Sequence, residues 1–291
     1  MPGDPGTDGR LAIVAGSGRL PHDVAVAARA NGENPFIVVL RNEADRDWSD
    51  FDHVTIGTGD FAALQAAFRR EQIGRVVLSG GVRRRPELRE IRSTFSHLLQ
   101  VPRVVRILTR GGDDAVLRMV ITLIEGGGYR VVAAQQVVPG LLAETGPLTQ
   151  KRPGASEERD IAAAREAASL LGRLDIGQGA VAVGGRVVAL EGVEGTDAML
   201  ERVASLRAAG RLSQRSRGVL VKLCKPQQDE RADLPSIGLS TIAEVAAAGL
   251  AGIAVEAGRS LVLDREALIA EADAKGLFVL GLSMDVRGND T

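Results

Sequence analysis

The feature that most constrains the fold is an alternation of short apolar runs and helical segments in the first half of the chain. Apolar runs at 11–15, 35–40, 54–56, 75–79 and 129–134 predict buried strands, and the segments at 22–31, 61–71 and 115–126 predict helices. The helix at 61–71 carries a clear apolar stripe, formed by Phe61, Leu64 and Phe68. Strands that alternate with helices of this length predict an α/β domain with a parallel, Rossmann-like sheet.

Three of the predicted strands end in glycine-rich turns, at 16–18, 57–59 and 80–81. In a parallel sheet, ligands lie at the carboxyl ends of the strands, and a strand–turn–helix unit directs backbone N–H groups at phosphate. The full dinucleotide fingerprint is absent, because residues 21–23 occupy the space of a third glycine. The turns therefore favour a phosphate or nucleotide over a nicotinamide cofactor, and plain βα turns remain the alternative. The predicted nucleotide contacts are Gly16, Ser17, Gly18, Leu20, Pro21, Gly57, Gly80, Gly81, Val82, Asp113 and Asp114.

The second half of the chain has a different pattern. A Pro/Gly-rich stretch at 139–155 predicts a linker, and Gly184-Gly185 predicts a hairpin between runs at 180–183 and 186–190. A second hairpin is expected between 252–256 and 261–263. We therefore expect a disordered leader at 1–9, an α/β nucleotide-binding domain at 10–138, a linker at 139–155 and an α+β catalytic and lipid-binding domain with hairpins at 156–285.

The densest concentration of charge is in residues 222–238, with two lysines, one arginine and three carboxylates. Two prolines and the lack of a helical stripe predict an ordered loop that presents charged side chains, with a solvated surface loop as the alternative. Further carboxylates, Glu191, Glu194 and Asp197, follow a predicted strand. Carboxylates that converge with lysine and arginine suit phosphoryl chemistry, because the cations neutralise phosphate oxygens while the carboxylates bind a divalent ion or activate water.

Composition excludes several other classes of protein. A formal net charge of -1 gives no electrostatic case for nucleic-acid binding, and a single cysteine fits a reducing compartment. The three histidines show no zinc-ligand spacing. We find no signal peptide and no apolar run of the roughly 18 residues that span a bilayer. A basic stretch at 83–92 is either a solvated face or an attraction for phosphates or anionic lipid heads.

Six segments carry a resemblance to a known family. They are A-G-S-G-R-L-P at 15–21, G-D-D at 112–114, D-I-G-Q-G at 175–179, E-G-V-E-G-T-D at 191–197, K-L-C-K-P-Q-Q-D-E-R-A-D-L-P-S-I-G at 222–238 and G-L-A-G-I at 249–253. In this order they resemble the LpxI-type UDP-2,3-diacylglucosamine pyrophosphatases of lipid A biosynthesis, over about residues 11–282, and the segment at 222–238 is highly specific.

The resemblance implies hydrolysis of UDP-2,3-diacylglucosamine to UMP and 2,3-diacylglucosamine 1-phosphate (lipid X). It also implies dependence on a divalent cation, Mg²⁺ or another such as Mn²⁺, and a substrate held between two domains. Because the substrate carries acyl chains, the resemblance implies transient contact with the inner-membrane surface. The lack of a signal peptide and of a spanning apolar run predicts a cytoplasmic protein. A homodimer is left open.

The family's catalytic aspartate falls on Asp233. The segment Lys225-Pro226-Gln227-Gln228 departs from a frequent Lys-Pro-Gly-Gln, and Gly81 stands where relatives often carry Asn. The second departure puts in doubt a side-chain contact from that turn. The predicted catalytic residues are Asp233, Lys222, Lys225 and Arg231; the predicted metal ligands are Asp233 and Glu191; the predicted sugar, phosphate or lipid contacts are Gln178, Glu194, Gly195, Thr196, Asp197 and Gln228.

Two other functions compete with this one. Another nucleotide-sugar enzyme, such as a transferase or epimerase, would use the same glycine-rich turns. A nucleotide-sugar-binding regulatory module without hydrolase activity would need those turns but not the charged loop at 222–238.

Overall fold

The chain forms two compact units. The computed structural model describes residues 9–82, 113–138, 140–213, 215–231 and 234–283. The first unit comprises Met1–Pro139 together with Asp229–Asp233, and the second comprises Gly140–Gln228 together with Leu234–Thr291. The expected leader (except Gly9) and the basic stretch at 83–92 lie outside the described residues.

The first unit contains a parallel sheet with helices, as the alternating pattern predicted. Its strands are β1 (Arg10–Ala15), β2 (Phe36–Leu40), β3 (His53–Ile56), β4 (Ile73–Ser79) and β5 (Arg130–Val131), and its helices are α1 (Leu20–Ala30), α2 (Phe61–Arg70), α3 (Asp113–Gly126) and α4 (Ala134–Val137). The strands pair in parallel in the order β3-β2-β1-β4-β5. The last strand is shorter than expected, because the chain enters α4 at Ala134.

Local chemistry explains where these elements begin and how they pack. Helix α2 begins after Asp60, whose carboxylate accepts a hydrogen bond from the Ala63 N–H at 3.0 Å. The predicted stripe faces the core through Leu64 and Phe68, and Phe68 contacts Tyr129 edge-on with ring centres 4.9 Å apart. Because the five strands are parallel, their carboxyl ends lie at one edge of the sheet.

The second unit contains a mixed sheet. Its strands are β6 (Gly146–Pro147), β7 (Gly179–Val183), β8 (Arg186–Leu190), β9 (Val219–Lys222), β10 (Ser236–Ile237), β11 (Gly252–Glu256), β12 (Leu261–Val262) and β13 (Phe278–Leu282), and its helices are α5 (Ala155–Arg173), α6 (Gly195–Ala208), α7 (Leu239–Ala247) and α8 (Arg265–Ala274). The larger sheet has the order β6-β13-β11-β9-β7-β8, and β10 pairs with β12 separately. No helix in the described ranges combines the length and apolar character needed to cross a membrane.

One of the two expected hairpins is confirmed and the other is wrong. Gly184 and Gly185 have φ of 65° and 76° and connect β7 to its antiparallel neighbour β8. By contrast, β11 lies in parallel between β9 and β13, while β12 pairs with β10 in the small parallel sheet. The reason is burial, since all five residues of β11 are buried, as in the central strand of a parallel sheet.

Strand directions in the larger sheet bring four chain segments to one edge. Strands β9 and β11 end there, at Lys222 and Glu256, because they run in parallel. Strand β7 runs antiparallel to β8 and β9, so its start meets the end of β8. The edge therefore collects Gln178, Glu191, Lys222 and Glu256.

Candidate functional site

In the first unit, the turns after β1 and β4 are joined by hydrogen bonds. The Ser17 N–H donates to the Gly81 carbonyl at 2.8 Å, and the Gly81 N–H donates to the Ser17 carbonyl at 2.9 Å. A Cβ atom on Gly16 would lie 2.3 Å from the Gly81 carbonyl oxygen, so the close approach requires glycine there. The two turns form one backbone platform at the carboxyl edge of the sheet.

An acidic residue that the sequence analysis missed lies against this platform. The Gly18 N–H donates to the Asp45 carboxylate, at 3.0 and 3.2 Å from its two oxygens, and Gly18 has φ of 94°. Asp45 follows β2, and an acid in that region of a nucleotide-binding sheet commonly contacts ribose. Its position after the second strand is the sequence signal that could have identified Asp45 as a candidate. The Ser79 hydroxyl is also buried here, with no hydrogen-bond partner in the described part of the chain.

The predicted nucleotide contacts fall into three groups. Gly16, Ser17, Gly18, Gly80 and Gly81 meet at the platform, and Leu20 and Pro21 form the first turn of α1 beside it. Gly57 lies at the end of β3, two strands away from β1, and Val82 is half-exposed. Asp113 and Asp114 begin α3, and their side chains are outside the description.

In the second unit, Glu191 is the centre of a buried polar group. Its side chain is 7% exposed and accepts hydrogen bonds from the Thr196 hydroxyl at 2.8 Å and from the Gln178 N–H at 3.3 Å. The Gln178 side-chain oxygen is buried without a hydrogen-bond partner among the described residues. Because its donors hold the carboxylate from two directions, Glu191 has a fixed orientation.

Two further charged groups are buried at the same edge. Lys222 is 6% exposed, and its ammonium group donates to the Ser236 carbonyl at 3.1 Å. Glu256 accepts from the Cys224 N–H at 3.0 Å and pairs with Arg259 at 3.0 Å. Buried charges of this kind persist only when they are paired or hydrogen-bonded.

The beginning of the charged loop is ordered by its own side chains. Lys225 forms an ion pair with Asp175 at 2.9 Å. The buried Gln228 accepts a hydrogen bond from the Lys225 N–H at 3.0 Å and contacts the Cys224 sulfur at 3.3 Å. This part of the loop is therefore held in place and is not a freely solvated surface segment.

Glu244 is a second residue that the sequence analysis missed. Burial, together with the charge of Asp197 and a hydrogen bond to it, raises the pKa of Glu244 to about 7, while Lys222 acts in the opposite direction. Its Oε2 atom is buried with no hydrogen-bond partner in the described ranges. Glu244 could have been identified from the sequence, because it is the one charged residue of α7.

The middle of the charged loop belongs to the first unit. Arg231 pairs there with Asp229 at 2.8 Å and with Glu125, near the end of α3, at 2.6 Å. These residues border a cavity of about 380 Å³, which Arg130, Gln135, Gln136 and Glu230 also line. Arg231 lowers the pKa of Asp229 below its ordinary value, chiefly through its side-chain hydrogen bonds. Asp233 and Ala232 lie outside the described residues.

Comparison with known families accounts for both units. Residues 10–141 match the model described as the LpxI N-terminal domain, and residues 144–280 match the LpxI C-terminal domain. The chain belongs to the LpxI family. The resemblance drawn from the six sequence segments is confirmed.

An LpxI relative aligns along almost the entire chain. The UDP-2,3-diacylglucosamine pyrophosphatase LpxI of Caulobacter vibrioides is 42% identical over 279 residues, which cover 96% of this chain and 99% of that protein. Both groups of polar residues described above therefore lie within the matched LpxI domains.

The site residues predicted from the resemblance to LpxI lie in different environments. Lys222, Gln178, Glu191 and Thr196 lie at one edge, and Gly195 begins α6 with φ of 82°. Glu194 pairs with Arg202 at 3.0 Å, and Asp197 interacts with Glu244. Arg231, a predicted catalytic residue, pairs with two carboxylates in the first unit, and its catalytic role stays a prediction.

The LpxI resemblance implies a divalent cation, which needs oxygen donors from the protein. Within the described residues, no three His, Cys, Asp or Glu side chains are grouped to hold a metal ion. Mg²⁺ is commonly bound by one or two carboxylates together with substrate phosphates and water, so a three-residue cage is not required. Glu191 has the appropriate oxygen donors, and hydrogen bonds orient them as they orient ligands in metal sites.

Proposed function

We propose that this chain hydrolyses the pyrophosphate bond of UDP-2,3-diacylglucosamine to UMP and 2,3-diacylglucosamine 1-phosphate. The observation that carries the proposal is the match to the Caulobacter pyrophosphatase over nearly the full length of both chains. In this reaction the oxygen of water joins one phosphorus, the bond from that phosphorus to the bridging oxygen breaks, and protons leave as two phosphomonoesters form.

The first unit is proposed to bind the UDP moiety. The order β3-β2-β1-β4-β5 is that of a Rossmann-like, doubly wound sheet, in which nucleotides bind at the carboxyl edge. The platform of Ser17 and Gly81 lies at that edge, next to the N-terminus of α1. Backbone N–H groups and the helix dipole there favour an anion such as a phosphate.

The edge of the larger sheet that carries Gln178, Glu191, Lys222 and Glu256, here called the polar edge, is proposed to act on the diphosphate. Lys222, fixed by Ser236, supplies positive charge for phosphate oxygens, and Lys225 adds a second cation. Asp233 is proposed as the general base or a metal ligand. Gln178 and Thr196 are proposed to contact the sugar or phosphate beside Glu191.

A divalent cation is proposed as the cofactor, with Asp233 and Glu191 as protein ligands. When bound, Mg²⁺ or Mn²⁺ would neutralise charge on the diphosphate and polarise the attacked phosphorus. Thr196 and Gln178 orient Glu191 for that role, and each of its oxygens keeps a lone pair for the ion.

The reaction is proposed to take place at the cytoplasmic face of the inner membrane, where a diacylated substrate would reside. Exposed apolar side chains adjoin the polar edge of the second unit. Gly177 packs against the backbone of Glu191, where a Cβ would lie 2.2 Å from the carbonyl oxygen, and the residue that precedes each of them in the chain is apolar and exposed. We call this group the apolar rim: Leu170, Leu174, Ile176, Leu190 and Val193.

The first experiment is incubation of the purified protein with UDP-2,3-diacylglucosamine, with and without Mg²⁺, and measurement of UMP. We expect UMP with Mg²⁺, and a loss of at least about 100-fold in kcat for Asp233→Asn, since the amide can neither take a proton nor bind a cation well. Glu166→Gln, an exposed change in α5, serves as the matched control and should keep its activity.

The outcomes separate the competing functions. Substrate binding by folded protein without UMP under either condition would favour a nucleotide-sugar-binding module. Near-normal turnover by Asp233→Asn would remove Asp233 from its proposed role while leaving the hydrolase activity standing.

A further inference from the structure

Arg231 distributes its three guanidinium nitrogens over two carboxylates. Nε and Nη2 donate to the two oxygens of Asp229 at 2.9 and 2.8 Å, and Nη1 donates to Glu125 at 2.6 Å. The Arg231 backbone N–H also donates to Asp229, at 3.1 Å. This forked geometry pairs the guanidinium group of Arg231 with two carboxylates within the first unit.

A second contact holds the same segment from another element. The Gln135 side-chain amide, on α4, donates to the Glu230 backbone carbonyl at 3.1 Å. Residues 229–231 are thus attached to α3 through Glu125 and to α4 through Gln135. Isolated exposed ion pairs contribute little to stability, but a bidentate arginine in a network fixes geometry.

The position of Glu125 supports a docking role. It lies in the last turn of α3, where the negative end of the helix dipole disfavours a carboxylate. A glutamate there weakens the helix, and its 2.6 Å contact with Arg231 offsets that effect.

We infer that Glu125 and Gln135 are positioning residues, which hold residues 229–231 on the first unit and so fix the course of the chain that leads to Asp233. This inference rests on the proposed function, because it takes Asp233 as a catalytic residue. It reassigns Arg231 from a cation that contacts the diphosphate to the anchor of the segment.

The two roles of Arg231 predict opposite effects for Glu125→Gln. If Arg231 positions the segment, loss of the Glu125 charge lowers kcat by about 10-fold to 100-fold with a smaller change in KM, as expected when reacting groups are misplaced by about 1 Å. If Arg231 instead binds phosphate, removal of the competing carboxylate leaves kcat unchanged and lowers KM.

The kinetic test uses Glu125→Gln, Glu125→Asp and Gln135→Ala in the full-length protein, with Glu166→Gln as the control. We expect kcat to fall in Glu125→Gln and Gln135→Ala, to recover in part in Glu125→Asp, which keeps the charge, and to stay within about twofold of the parent in the control. Unchanged or raised kcat in Glu125→Gln overturns the inference.

A second measurement does not depend on turnover. Hydrogen–deuterium exchange of peptides that contain residues 229–231 should accelerate in Glu125→Gln, while peptides from β1 keep their protection. Unaltered exchange overturns the inference, and faster exchange with undiminished kcat also overturns it. A parent protein that yields no UMP but shows the exchange difference would refute the proposed function and leave the docking established.

Discussion

The Glu244 carboxyl holds its proton at pH values where an ordinary glutamate is ionised. Its pKa of about 7 follows from burial first and from the neighbouring Asp197 carboxylate second. Between the ordinary value of 4.5 and about 7, the folded protein therefore binds a proton that the unfolded chain has released. Stability from this group is full below pH 4.5 and declines as the pH rises towards 7.

Glu244→Gln should remove that decline, because glutamine does not ionise. We expect the Tm of the variant to match that of the parent near pH 4.5 and to exceed it by about 2 °C above pH 7. Thermal denaturation across this pH range provides the measurement, with Glu166→Gln as the control. Parallel pH profiles for parent and Glu244→Gln would contradict the expectation.

At the scale of the elements, the turns that follow β1 and β4 can meet only because Gly16 has no side chain. A methyl group at Gly16 would meet the Gly81 carbonyl at 2.3 Å, whereas one at Gly57 would have no described atom within 4 Å. Both glycines follow strands at the same edge of the sheet, so they form a matched pair.

Gly16→Ala should lower the free energy of unfolding by about 1–3 kcal/mol, because the backbone of the platform must shift. Gly57→Ala should change it by less than about 0.5 kcal/mol. Chemical denaturation tests both values, and calorimetric titration with UDP should show weaker binding for Gly16→Ala. Equal stability of the two variants would mean that the platform accommodates the methyl group.

Local patterns in the sequence predicted the elements better than their partners. The strand–turn–helix units of the first sheet were predictable because each one is encoded within about 25 residues, as was the Gly184-Gly185 hairpin. The placement of β11 between β9 and β13 was not, because it depends on segments about 30 residues away on either side. Turn residues indicate which neighbouring segments form a hairpin, but they do not indicate which distant strands pair.

The candidate site was predictable in the same limited way. Glu191 follows a predicted strand and Lys222 ends one, which marked both as candidates, but their common edge depends on the antiparallel pairing of β7 with β8 and β9. Asp45, Glu125 and Glu244 are single acidic residues in a loop or in helices, and their roles depend on tertiary contacts. The pairing of Arg231 with Glu125 could not be predicted, because the two residues are 106 positions apart in the chain.

At the scale of the whole molecule, the apolar rim is the surface that we expect to contact lipid. Leu174 is 69% exposed and Ile176 is 52% exposed, in a loop that adjoins the polar edge. Contiguous exposed apolar side chains commonly mark interaction sites, whereas single ones do not. Val26 on α1 has a comparable exposure of 48% and lies in the other unit.

The double variant Leu174→Asp/Ile176→Asp should bind vesicles of phosphatidylethanolamine and phosphatidylglycerol at least about 10-fold more weakly than the parent, because two charges would have to enter the lipid interface. Val26→Asp should bind like the parent. Vesicle flotation measures both, and circular dichroism confirms that the variants are folded. Equal flotation of all three proteins would assign membrane contact to another surface.

Because Asp229–Asp233 belong to the first unit, the two units cannot be separated by a single cut in the chain. A single cut near residue 139 separates Glu125 from Arg231, so a fragment that ends there lacks five residues of its own compact body. A chimaera of two relatives that exchanged one half of the chain at that point would take the two sides of this ion pair from different parents. A faithful exchange of the first unit therefore requires three junctions, one near 139 and one on each side of 229–233.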